Sequence, residues 1–147
     1  TGVQTCALPI YGDPWSPELA LEWVDTLARE GIGVFSLSDT VGVAHEEDIR
    51  SIFAELITSR PDLEFGAHFH TRPDAWRGKV AAAYEAGCRR FDGAILGYGG
   101  CPMAQDSLVG NMPTERLLEF AREKNELLPI SYEAFAEATG EFRRLIG

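Results

Sequence analysis

Basic residues are scarce in this chain: 13 Lys and Arg stand against 23 Asp and Glu in 147 residues, for a formal net charge of −10. No Lys/Arg cluster rises above that acidic background, so nucleic acid and anionic membrane surfaces are poor partners, while small molecules and metal cations stay open. Cysteines are few as well. Cys6, Cys88 and Cys101 show neither CxxC spacing nor a paired framework, which points to a reducing compartment, taken as the cytoplasm. No apolar run is long enough to span a membrane, and no basic-then-apolar leader of the secretory kind or low-complexity tract is seen. With 45% hydrophobic residues, the chain reads as globular with a modest core.

What is present concentrates in Gly97–Glu115, GYGGCPMAQDSLVGNMPTE, between a strand-like run (Arg90–Leu96) and a helical run that opens near Pro113. Gly97, Gly99 and Gly100 permit positive φ and close approach of backbone to a ligand, and Cys101 follows as a weak acid or nucleophile. On residues alone this is either a loop that closes over a substrate or an ordinary βα connection with an incidental cysteine. Asn111 and Glu115, four apart across the helix start, favour the first reading.

The remainder alternates strand and helix. Ser16 and Pro17 form an N-cap and first helical position for a helix to about Arg29, and Gly31 and Gly33 stop it. Val34–Leu37 is a short buried strand ending at Ser38-Asp39-Thr40. Glu46–Ser59 is helical by the spacing of Ile49, Ile52, Phe53, Leu56 and Ile57. Then follow strand Glu64–His68, a helix over roughly Asp74–Ala86, strand Arg90–Ala94, and helices Pro113 to about Lys124 and Tyr132–Ile146. The last helix is expected to cover the sheet rather than meet a partner subunit. Strands alternating with amphipathic helices imply a parallel α/β sheet, with all strand C-termini on one face. No linker marks a second domain.

Thr1–Ile10, TGVQTCALPI, is set apart. It can be encoded by ACT GGA GTT CAG ACG TGT GCT CTT CCG ATC, which resembles a common sequencing-library adaptor read in frame, and the adaptor's next base, T, suits Tyr11. Residues 1–10 are therefore expected to be non-native and 11–147 to be part of one domain; the alternative is a native apolar strand.

Three strand ends carry polar groups: Asp39, the pair His68 and His70, and the loop with Cys101 and Asn111. Two histidines at i and i+2 on a strand project to the same side, a spacing that suits one metal ion; a hydrogen-bonded polar core is the competing explanation.

The blocks SLSDTVGV (Ser36–Val43), AHFH (Ala67–His70) and LGYGGCPMAQDSLVGNMPTE (Leu96–Glu115), with their spacing, resemble the C-terminal half of the hydroxymethylglutaryl-CoA lyase family, within the TIM-barrel metal-dependent lyases, aldolases and acyl-CoA condensing synthases. The His-x-His strand is shared across that superfamily; GGCP followed by GN and PTE is particular to the lyase branch. The resemblance implies a fragment of a (β/α)8 barrel, about its last three to four βα units, with His68, His70 and Asn111 as ligands of Mg²⁺ or Mn²⁺. It implies Cys101 as the catalytic loop cysteine, Asp39 as a carboxylate near the substrate hydroxyl, and Glu115 as the acidic residue after the loop, with His68 counted among the catalytic residues too. The implied reaction is retro-Claisen cleavage of 3-hydroxy-3-methylglutaryl-CoA to acetoacetate and acetyl-CoA. The implied partner is the acyl-CoA substrate, with a homo-oligomer open for the full-length enzyme.

Departures bear on specificity and completeness. Thr71-Arg72-Pro73 stands where the family has an acidic or amide residue and then glycine, and the Cys101–Asn111 span is one residue longer than in well-known members. The Arg-Asp strand end that supplies a catalytic arginine and a further ligand in the family is absent from this sequence. A complete barrel needs eight βα units in about 250 residues. The 147 residues by themselves are thus expected to be inactive. A sister aldolase or condensing synthase lacking the GGCP loop, and a non-catalytic half-barrel binding module, are the alternatives.

Overall fold

The computed structural model describes residues 3–6, 16–100 and 109–147, with side chains from residue 16 onward. Ser16 caps helix α1 (Pro17–Arg29): its hydroxyl accepts the Leu19 amide at 3.2 Å, and Pro17 occupies the first turn, where no amide hydrogen is needed. The chain then runs through β2 (Val34–Asp39), α2 (Glu46–Ser59), β3 (Glu64–Thr71), α3 (Trp76–Glu85), β4 (Arg90–Asp92), a 3₁₀ turn at Ile95–Gly97, β5 (Gly110–Asn111), α4 (Thr114–Glu123) and α5 (Tyr132–Ile146); β1 (Val3–Cys6) precedes α1.

Strands β1, β2, β3 and β4 lie side by side in that order, all parallel, while β5 runs antiparallel beside the end of β3. This is the parallel α/β arrangement expected from the rhythm of the sequence. β1 falls inside the segment set apart above; backbone pairing at a sheet edge is open to any extended segment and does not bear on that segment's origin.

Alternation along β3 separates two faces. Phe65, Ala67 and Phe69 join the core with Phe35, Phe53 and Leu56, the last two from α2. Phe53 and Phe69 meet edge to face, ring centres 6.3 Å apart. Gly66, His68 and His70 fall on the other face. The helices layer against one another in chain order, α1 on α2, α2 on α3 and α3 on α4.

Boundaries differ from expectation where tertiary partners intervene. β3 continues to Thr71, beyond His68, because its end gains a second neighbour: His70 pairs with Asn111 and Thr71 with Gly110. β4 stops at Asp92, short of Ala94, since Gly93 passes too close to α4 for a side chain; a Cβ there would lie 2.9 Å from Leu117 Cδ1. α3 starts at Trp76 rather than Asp74, after a turn in which the Ala75 amide donates to the Arg72 carbonyl. α5 spans its expected residues but buries none of them; it leans on the loop through Phe142 and Tyr98, ring centres 5.3 Å apart.

Lys79 is the unexpected core member. It lies on α3, 5% exposed, and its ammonium donates to Asp39 Oδ2 at 2.6 Å and to the His70 carbonyl at 3.3 Å. Asp39 also accepts the amides of Val43 on Oδ1 and Ala44 on Oδ2. One buried ion pair thus ties the ends of β2 and β3 to α3. Lys79→Met leaves the carboxylate without its counter-ion and is expected to cost about 3–5 kcal/mol in urea unfolding, a loss under about 1 kcal/mol contradicting the assignment.

Candidate active site

The polar face of the sheet carries the histidines. His68 and His70 face the same way from β3, ring centres 5.5 Å apart, with Asn111 in register opposite His70. His70 is 5% exposed, and its Nδ1 is buried with no hydrogen-bond partner among the described residues. Burial, then the neighbouring His68, pushes the His70 pKa below its ordinary 6.5; Asp39 opposes this and Lys79 adds to it. The ring is therefore neutral at pH 7, the form that ligates metals. The Asn111 amide nitrogen is committed to the Tyr98 carbonyl at 2.9 Å, so the ligating chemistry left to this residue is that of its oxygen.

Asp92 was not among the residues singled out by sequence. It pairs with His68 in the β3–β4 register, and its Oδ2 lies 3.7 Å from His68 Nδ1. Ser36 donates to the same oxygen at 2.9 Å, and Arg90 Nη2 stands 3.6 Å from Oδ1. The signal was available only through strand pairing: in RFDGA the carboxylate is unremarkable until β4 is set beside His-x-His.

Two arms bracket the Cys101 segment. Leu96, Gly97 and Gly99 have φ of 57°, 63° and 88°. For Leu96 this left-handed geometry costs on the order of 1 kcal/mol. Glycine is required at 97, where a Cβ would stand 2.7 Å from the Asn111 carbonyl. Asn111 donates its amide to Gly99 O at 3.2 Å, Ala94 donates to Met112 O, and Thr114 donates to Ala94 O. Both carboxylate oxygens of Glu115 accept the Leu96 amide, each at 3.1 Å.

His68, His70 and Asn111 are thus brought together, as the resemblance implies. Asp39 sits beside them, its carboxylate engaged by Lys79 and two amides and buried at 2% exposure. Glu115 is engaged by the loop backbone. Cys101 lies outside the described residues. Among the described residues no group of three or more His, Cys, Asp or Glu is poised for a metal; backbone register sets Asn111 beside the two imidazoles. The orphaned nitrogen of a neutral imidazole is chemically compatible with a divalent cation of Mg²⁺ or Mn²⁺ type.

Known proteins give the same frame. The HMGL-like family model matches residues 12–138. The chain is 32% identical over 143 residues to the hydroxymethylglutaryl-CoA lyase of Pseudomonas mevalonii, covering 92% of this chain and 45% of that one. It is 30% identical over 113 residues to the lyase YngG of Bacillus subtilis, covering 74% and 38%. Among solved structures, an HMG-CoA lyase of Acinetobacter baumannii in complex with coenzyme A and 3-methylmalate superposes with TM-score 0.82 at 30% identity, over 99% of this chain and 48% of that one. The B. subtilis enzyme gives TM-score 0.87 at 24% identity, over 99% and 49%. The chain therefore spans under half the length of these relatives, and its sheet is part of the TIM-barrel architecture they share. It belongs to the HMGL-like family.

Proposed function

We propose that these residues form the metal-and-loop half of a hydroxymethylglutaryl-CoA lyase site, acting on an acyl-CoA in the cytoplasm. The observation that carries the reading is the buried, unpartnered Nδ1 of His70, beside His68 and opposite Asn111, in a chain of this family. A divalent Mg²⁺ or Mn²⁺ held by these three residues would polarise the substrate's oxygens. The reaction is retro-Claisen cleavage: a base takes the proton of the tertiary hydroxyl, the carbon–carbon bond to the thioester's α-carbon breaks, and acetoacetate leaves. The resulting acetyl-CoA enolate takes a proton at carbon, a role suited to the thiol of Cys101, which follows the glycines in sequence. Asp39, bonded to Lys79 and two amides, fixes the end of β2 beneath the site, and Asp92 faces His68 from the next strand.

The acyl group is a separate question. One relative, 30% identical over 112 residues, is an (R)-citramalyl-CoA lyase of Chloroflexus aurantiacus. Together with Thr71-Arg72-Pro73 at the turn after His70, this favours a 3-hydroxyacyl-CoA of the same reaction class as the second reading. The 147 residues contain no Arg-Asp pair, so by themselves they are expected to show no turnover.

Reading the source DNA across the codon of Tyr11 tests both the adaptor origin of residues 1–10 and the enzyme. The protein encoded by the continuous gene is expected to release acetoacetate from 3-hydroxy-3-methylglutaryl-CoA with Mn²⁺ present. Cys101→Ala in that protein is expected to lower kcat by about 10²–10⁴. Absence of cleavage of this thioester and of its citramalyl analogue would overturn the lyase reading.

A further inference from the structure

We propose that Glu115 is a positioning residue, the clip that holds residues 96–99 in place before Asn111, and not a proton-transfer group. The proposal rests on the lyase reading for the loop's purpose but has its own geometry. Leu96 carries a Cβ yet sits at φ 57°, immediately before Gly97 at φ 63°. Its amide is received by both oxygens of one carboxylate, Oε1 and Oε2 each at 3.1 Å. That carboxylate stands in the first turn of α4, where the helix's positive end favours it and where the first turn has no intrahelical acceptors for its amides.

The consequence reaches Asn111. From Leu96 the backbone turns so that Tyr98 and Gly99 present their carbonyls to the side-chain and main-chain nitrogens of Asn111, at 2.9 Å and 3.2 Å. Gly97 packs against the Asn111 carbonyl so closely that no side chain fits. Releasing Leu96 frees the residue that aims this arm, and with it the amide of Asn111. Glu115 therefore acts on the metal site through the backbone.

Two readouts on the 147-residue chain test this: hydrogen exchange of the Leu96 amide by NMR, and binding of Mn²⁺ alone by electron paramagnetic resonance. Glu115→Ala is expected to speed Leu96 exchange about tenfold, the loss of one net hydrogen bond, and to weaken Mn²⁺ by about tenfold. Glu115→Gln keeps a side-chain acceptor and is expected to stay within about threefold of the parent in both. Leu96→Gly added to Glu115→Ala removes the penalty for positive φ and is expected to restore Mn²⁺ binding, or folding if the single variant fails to fold. The clip is overturned if Gln behaves like Ala, if Leu96 exchange is unchanged in Glu115→Ala, or if Leu96→Gly restores nothing. Should the parent chain bind no Mn²⁺, the metal reading fails, and exchange at Leu96 still decides the clip.

Discussion

A carboxylate buried at the end of a strand has to be paired, and in this chain that requirement organises the site. Asp39 ends β2 with no access to water; α3 answers with Lys79, and the loop after β2 answers with the amides of Val43 and Ala44. The same ammonium reaches the His70 carbonyl, so the strand that displays the histidines is tied to the helix behind it and the strand beside it. A buried ion pair of this kind gains little over an apolar substitute in stability, but it leaves few alternative arrangements of the three elements it joins. With β3 held, His68 and His70 share a face, and Asn111 is delivered opposite His70 by backbone pairing.

The loop obeys a second constraint of the same sort. Positive φ at consecutive positions is tolerated only where the surroundings over-determine it. Here glycine removes the penalty at 97 and 99, while Glu115 offsets it at Leu96. The arms on either side of residues 101–108 are joined by main-chain hydrogen bonds between Ala94, Met112 and Thr114 and between Gly99 and Asn111.

Much of this was legible in the sequence, because the local signals agree with the tertiary result. Ser16-Pro17 opens a helix, the apolar spacing of Glu46–Ser59 makes the core helix, and His-x-His requires one face of a strand. What was not legible depends on pairing between segments. β5 is two residues of glycine and asparagine with no strand propensity, and it exists because the end of β3 needs a neighbour. Asp92 gains meaning only in register with His68. Lys79 reads as a surface lysine until the buried Asp39 is set beside it. The resemblance implies chemical roles for Asp39 and Glu115; what the structure adds is that their carboxylates bond Lys79 and amides, and the Leu96 backbone. Such partners are what spacing does not encode.

The central claim is that His68, His70 and Asn111 hold one divalent cation. Titrating the chain with Mn²⁺ under electron paramagnetic resonance, in parallel with His70→Ala and Asn111→Ala, tests it most directly. A single site in the parent chain, weakened at least about tenfold by either substitution, is the result this account expects. Binding that is the same in all three proteins would mean that the histidine pair is a polar core and not a metal site.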